Sequence, residues 1–146
     1  MIKDTAGLFK VDQTIIIKAP RANVFKLITD PAEARRWSAV TQFEGRIGGK
    51  YGLTKGEWVA EGEIVEWDPP RLVAWTWDWK NEPIGARTVV RFELTEEGNN
   101  TIVHLTHTGF PNAERAGNHN EGWTYYGNRL KIVAEGGDPG PDMSGM

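Results

Sequence analysis

The spacing of apolar residues changes several times along the chain, and each change marks an element. Residues 13–18 (QTIIIK) are short and β-branched, which predicts a strand. Ala19-Pro20 then opens a helix carrying Val24, Phe25, Leu27 and Ile28 on one stripe, with proline tolerated where its missing N–H has no partner to lose. Asp30-Pro31-Ala32-Glu33 starts a second, brief helix that ends near Trp37: Asp30 is the cap, Pro31 fits the first turn, and Glu33 fits the reciprocal position of a capping box.

From Val40 to Gly109 the period falls to two. Gly45, Gly48, Gly49, Gly52 and Gly56 divide the first part into short extended pieces, whose bland reading is turns and a bulge in a curved sheet. Strands follow over residues 57–67, 72–79, 88–94 and 101–108, with a stop at Asp68-Pro69-Pro70 and a tight hairpin at Gly98-Asn99-Asn100. On the 72–79 strand, Val73, Trp75, Trp77 and Trp79 share a face; on 101–108, Val103, Leu105 and His107 do. A long helix is expected over 118–135, with Trp123, Tyr126, Leu130 and Val133/Ala134 along one side. Residues 136–146 (GGDPGPDMSGM) read as a flexible tail, which leaves one domain over 10–135.

These elements predict an α+β domain with a curved antiparallel sheet of about six strands. The sheet wraps around the long C-terminal helix, and two short helices lie between its first and second strands. Both sheet faces carry apolar residues, so the long helix must cover one of them, and a gap between helix and curved sheet is where a ligand would sit.

Composition narrows the chemistry. The chain has 146 residues, no cysteine, and a formal net charge of −3. Thiolate nucleophiles, thiolate metal sites and disulfides are therefore excluded, and no dense basic block invites nucleic acid. No apolar run reaches membrane-spanning length and MIKDTAGLFK lacks a signal-peptide core, so the expected location is cytoplasmic, without a membrane partner. Serine occurs only at positions 38 and 144, and neither GxSxG, HExxH nor a phosphate-loop motif is present. No cofactor and no metal are expected; the three histidines, His104, His107 and His119, share no face. Seven tryptophans are the anomaly.

Several motifs in order carry a family resemblance. They are Ala19-Pro20 with Val24-Phe25, Asp30-Pro31 to Trp37, Ile47-Gly48-Gly49, and Gly62-Glu63-Ile64 with Pro69-Pro70-Arg71-Leu72. Trp75-Thr76-Trp77, Thr106-His107-Thr108-Gly109-Phe110, Gly122-Trp123 and Leu130-Lys131 complete the set. Over residues 10–134 the chain resembles the START-like or Bet v 1-like (SRPBCC) superfamily. Within that superfamily it is similar to the Aha1-like group, named for the C-terminal domain of the activator of Hsp90 ATPase. The resemblance implies a helix-grip fold with a cavity. Relatives include carriers of apolar ligands, polyketide cyclases and stress-related proteins. Where the family commonly places a large apolar residue four positions after the helix tryptophan, this chain has Gly127, which either widens the cavity or admits a neighbouring side chain.

Three functions fit. The first is binding of a small hydrophobic or aromatic ligand by Trp75, Trp77, Phe92, His107, Trp123 and Tyr126, by a monomer or weak homodimer. The second is a cyclase- or hydrolase-like enzyme with a cavity His or Glu as acid/base, His107 or Glu63 being the candidates. For His107 the competing reading is a structural histidine; for Glu57, Glu61 and Glu63 it is a solvated sheet exterior. The third is contact with an Hsp90-type chaperone, a role that in larger relatives accompanies an extra amino-terminal domain. Arg71 and Arg91 read as ion-pair residues.

Overall fold

The computed structural model describes residues 2–3 and 8–143. Its elements are β1 (Ile2–Lys3), β2 (Phe9–Ile17), α1 (Arg21–Thr29), α2 (Pro31–Ala34), β3 (Val40–Phe43), β4 (Lys50–Lys55), β5 (Trp58–Asp68), β6 (Leu72–Trp79), β7 (Thr88–Glu97), β8 (Asn100–Phe110) and α3 (Ala113–Ala134). The strands form one eight-stranded sheet in the order β1-β2-β8-β7-β6-β5-β4-β3, with every neighbouring pair antiparallel. This is the expected α+β helix-grip arrangement with a larger sheet. The expected count of about six rises to eight because β1 pairs only two residues and β3 is hidden ahead of the glycine-rich stretch.

Local signals account for the helix starts. Pro20 stands at the N-cap of α1, one position earlier than expected, and its carbonyl accepts from Asn23 N and Val24 N. Asp30 caps α2 through Ala32 N at 3.0 Å, with Pro31 in the first turn as expected. Glu33 closes no capping box; its carboxylate takes Arg36 at 2.8 Å instead. The α3 helix begins five residues before its expected start of 118, because the Asn112 side chain accepts from Arg115 N at 2.8 Å. That early start brings Arg115 into the helix.

Alternation puts the core on one side of β7 and β8. Thr88, Val90, Phe92 and Leu94 on β7, and Thr101, Val103, Leu105 and His107 on β8, are all buried, and their registers align Val90 with His107 and Phe92 with Leu105. The α3 helix packs on β2 and β8 through Ala116, Trp123, Leu130 and Val133. The outer face carries paired charges. Arg91 meets Glu66 at 3.1 Å, Arg71 meets Asp68 at 2.9 Å, and Lys80 meets Glu61 at 3.2 Å, as expected for Arg71 and Arg91. Glu63 is exposed on that face, so its solvated reading is the one observed.

Two glycines set how the layers meet. Gly62 on β5 lies so close to β6 that a Cβ would stand 1.6 Å from the Thr76 carbonyl oxygen, and the β5–β6 register shifts between Ile64 and Glu66. A bulge of this kind bends the strand pair and increases its twist. Gly127 on α3 faces β2, where a Cβ would stand 2.9 Å from Ile15 Cδ1. Of the two readings of Gly127, the structure therefore takes the admitted side chain. On the same flank, Gln13 Nε2 donates to Asn120 O at 3.2 Å, Asn120 Oδ1 at 3.0 Å and Thr124 Oγ1 at 3.0 Å, which fastens α3 to β2.

Ile15 Cδ1 is the far end of a flexible side chain, so Gly127→Ala is expected to be nearly neutral. A gain of about 1 kcal/mol in helix propensity offsets a small displacement of Ile15. A thermal melt within about 3 °C of the parent protein is the expected readout.

Candidate ligand pocket

With α3 resting on β2 and β8, the bent half of the sheet (β3–β6) stands away from it and leaves a pocket of about 460 Å³. That volume lies in the ~300–1,000 Å³ range of small-molecule sites. Six of the seven tryptophans line it: Trp37, Trp58, Trp75, Trp77, Trp79 and Trp123. Only Trp67 is elsewhere, packed against Phe25 with ring centroids 5.6 Å apart.

The wall is a continuous aromatic assembly. Trp75 stacks between Tyr51 at 4.7 Å and Phe92 at 5.6 Å, while Trp77 meets Trp79 edge-on at 5.3 Å and Trp123 at 5.7 Å. Such offset and edge-to-face pairs add roughly 0.5–1.5 kcal/mol each beyond the area they bury. Ile28, Val40 and Leu53 complete the apolar lining.

Behind this wall runs a chain of hydrogen bonds whose polarity follows from donor chemistry. An indole N–H can only donate, so Trp123 Nε1–H gives its proton to His107 Nδ1 at 3.0 Å. His107 must then carry its proton on Nε2, which donates to Thr88 Oγ1 at 2.9 Å; the Thr88 hydroxyl donates in turn to the Trp77 carbonyl at 2.6 Å. His119 repeats the logic: Trp79 Nε1–H donates to its Nε2 at 2.8 Å, and its Nδ1–H donates to the Arg115 carbonyl at 2.7 Å. All four ring nitrogens are therefore engaged in the neutral form. Burial pushes the His107 pKa well below the ordinary imidazole value, with the nearby His119 adding to the shift. Burial also lowers that of His119, against an opposing contribution from its bond to the Arg115 carbonyl.

The two rings lie edge-to-face at 5.2 Å, so the expectation that the histidines share no face fails for this pair. The docking of α3 over the inner face of β8 is the reason. Among the described residues, no group of three or more His, Asp or Glu side chains converges as a metal site would require. The Trp75 and Trp77 indole N–H groups, buried among ring faces, have no hydrogen-bond partner among the described residues.

Polar groups reach the pocket at a few points. Ser38 lines it, with its hydroxyl donated to the Ala34 carbonyl at 2.9 Å. Burial, reinforced by the neighbouring Tyr126, raises the pKa of the Tyr51 phenol far above its ordinary range, so it stays protonated. Lys55, Trp58, Glu82, Arg115 and Asn118 also border the space. Arg115 donates to the Glu82 carbonyl at 3.0 Å and the Pro83 carbonyl at 3.3 Å, clasping the β6–β7 loop to the start of α3.

Of the six residues expected to bind ligand, Trp75, Trp77, Trp123 and Tyr126 line the pocket. Phe92 and His107 do not; they stand one layer behind, Phe92 stacked under Trp75 and His107 bonded to Trp123. Sequence reasoning missed Tyr51, Leu53 and Lys55, although their period-two spacing within the glycine-rich stretch was a usable signal. It also missed His119 and Gly122. Both lie within the expected helix, four positions before Trp123 and Tyr126, so the i,i+4 spacing was a usable signal.

The described part of the tail departs from the expected loose segment. Arg129, 8% exposed, donates through Nε to the Trp37 carbonyl at 3.0 Å and through one terminal nitrogen to the carbonyls of Pro139, Gly140 and Pro141 at 3.0–3.2 Å. Tyr126 Oη donates to Asp142 Oδ2 at 2.7 Å, and Met143 N donates to Tyr125 Oη at 2.7 Å. Much of what holds this segment is its main-chain carbonyls and amides, with the Asp142 carboxylate, which a composition-based reading does not register.

Comparison with known proteins agrees with this architecture. The family described as "Activator of Hsp90 ATPase homolog 1-like protein" matches residues 18–135. No curated protein sequence matches the chain. Among solved structures, a protein from Mesorhizobium loti is 21% identical with a TM-score of 0.77, over 84% of this chain and 94% of that one. CalU16 from Micromonospora echinospora in solution is 26% identical with a TM-score of 0.77, over 96% of this chain and 74% of that one. The Aha1 dimer from Colwellia psychrerythraea is 20% identical with a TM-score of 0.75, over 89% of this chain and 98% of that one. The chain belongs to the Activator of Hsp90 ATPase homolog 1-like family, within the START-like, Bet v 1-like superfamily whose helix-grip fold it adopts.

Proposed function

We propose that residues 10–135 form a binding domain for a small, largely aromatic or apolar molecule held between α3 and the bent half of the sheet. The observation that carries this reading is the lining: six of seven tryptophans border one pocket, four of them also belonging to the buried core. Apolar contact would supply most of the affinity, at about 25 cal/mol per Å² before ordering costs. The acid–base alternative has less support. Both histidines near the pocket have their ring nitrogens committed, and Glu63 faces solvent. A chaperone contact, which the family's description brings to mind, would be an outer-surface property; an Hsp90 ATPase assay separates it from ligand binding.

The test uses the neutral fluorophore N-phenylnaphthylamine, read by energy transfer from the tryptophans. Saturable one-to-one binding is expected with a Kd on the order of 10 μM, about −7 kcal/mol. Gly122 supplies the control variant. It borders the pocket, and a Cβ built on it meets nothing within 4 Å. Gly122→Leu should therefore fill the space, weakening binding at least about tenfold while raising Tm by roughly 2–4 °C through helix propensity. Absence of saturable binding to the parent protein, or unchanged binding by Gly122→Leu, would count against the pocket.

A further inference from the structure

Where the C-terminal segment crosses the pocket's edge, one carboxylate meets two groups that line the pocket. Asp142 Oδ2 accepts from Tyr126 Oη at 2.7 Å and lies 3.6 Å from Lys55 Nζ, while Lys55 Nζ also donates to the Asp142 carbonyl at 3.2 Å. Lys55 and Tyr126 both border the pocket; Asp142 does not. A half-buried ammonium on β4 and a phenol on α3, converging on one carboxylate oxygen, make an anion site in donor type and spacing.

Charge at the pocket supports the same conclusion. The lining contributes two cations, Lys55 and Arg115, and one carboxylate, Glu82, with His119 held neutral. Arg115 is engaged by the backbone carbonyls of Glu82 and Pro83, whereas Lys55, among the described residues, pairs with Asp142 of the tail. With Asp142 in place the group is neutral; with Asp142 withdrawn it lacks one negative charge, at the boundary between an aromatic pocket and solvent. An amphipathic organic acid supplies a ring system for the one and a carboxylate for the other.

We propose that Lys55 and Tyr126 form the carboxylate subsite of the pocket, that the ligand is an aromatic or apolar carboxylic acid, and that Asp142 is a built-in competitor occupying this subsite when the ligand is absent. This rests on the pocket reading above. The segment that carries Asp142 is held on either side by main-chain contacts, at Arg129 and at Tyr125 Oη, so the carboxylate can be exchanged while those anchors keep the strap nearby. The local cost of displacement is small, because a partly exposed ion pair contributes little net stability.

The experiment compares naphthaleneacetic acid with its uncharged amide by titration calorimetry on the parent protein, Asp142→Asn, Lys55→Met and the double variant. The two probes share a ring system and differ in charge. Asp142→Asn, which keeps shape and loses charge, should tighten acid binding about fivefold and leave the amide within about twofold. Lys55→Met in either background should bring the acid down to the amide's affinity. In the Asp142→Asn protein, added salt should weaken the acid and not the amide. Acid and amide moving together in Asp142→Asn, or a preference for the acid that survives Lys55→Met, would overturn the subsite while leaving the pocket intact. If neither probe binds any of the four proteins, the pocket reading falls, and the subsite with it.

Discussion

Gly62→Ala is expected to destabilise the domain by about 3 kcal/mol or more, the largest effect of any single methyl group in the sheet. The added Cβ would stand 1.6 Å from the Thr76 carbonyl oxygen and 2.6 Å from its carbonyl carbon. Those are backbone atoms of β6, so no rotamer change can relieve the contact, and the β5–β6 pair must separate. Overpacking against side chains typically costs about 1–3 kcal/mol, and a clash with paired backbone belongs at or above the top of that range. The consequence extends to the site. Gly62 lies on the strand pair that carries Trp75 and Trp77, which border the pocket. Thermal melts should show Tm lowered by roughly 6–12 °C, with loss of N-phenylnaphthylamine binding before global unfolding. A Tm within about 2 °C of the parent would mean that the β5–β6 crossing is not rigid. Gly122→Leu, which adds far more volume where there is space, provides the internal comparison.

His107→Leu ranks second, at about 3 kcal/mol. It removes the acceptor of Trp123 Nε1–H and the donor to Thr88 Oγ1 in a fully buried position. Leaving a buried donor unpaired costs about 1–3 kcal/mol, and the change of shape beside Trp77 and Phe110 adds a packing loss. A signature in pH separates this role from simple packing. Burial holds the folded-state pKa of His107 below that of the unfolded chain, so the unfolded state binds a proton first as pH falls. Stability is therefore intact above about pH 6.5 and is lost progressively below it, down to the folded pKa. The slope approaches about 1.4 kcal/mol per pH unit for each such group. His119 is shifted in the same direction and contributes in the same window. Urea melts between pH 7.5 and pH 5 should show this loss in the parent protein and a slope smaller by about one proton in His107→Leu. An unchanged slope would mean that His107 is protonated within the fold.

Particular residues show why some features were legible and others were not. Trp75, Trp77 and Trp79 were assigned to one strand face because alternation is a property of consecutive residues, and the structure agrees. Asp30 could be read as a cap because its acceptor and the N–H it satisfies are two residues apart. Asn112 uses the same chemistry without a sequence signal to match, since Glu114, Arg115 and Gly117 after it carry no apolar stripe to announce a helix. Strand β4 is obscured by Gly52 and the flanking Gly48, Gly49 and Gly56, since each glycine alone signals a turn, and β3 is only four residues long.

The division at the pocket has the same origin. Alternation, caps and breakers act between residues a few positions apart, so the sequence by itself determined the element types, the aromatic face of β6, the covering helix and the family resemblance. How those indoles pack around the pocket depends on approaches such as that of Gly62 to Thr76, 14 positions away in number and in direct contact in space. The neutral tautomer of His107 depended on an indole 16 positions along the chain and a threonine 19 positions back. The seat of Asp142 depended on Lys55, 87 positions away. Contacts of that kind form only when the sheet has curved and the helix has docked, and so the tertiary structure alone decided which tryptophans border the pocket and which groups stand behind them.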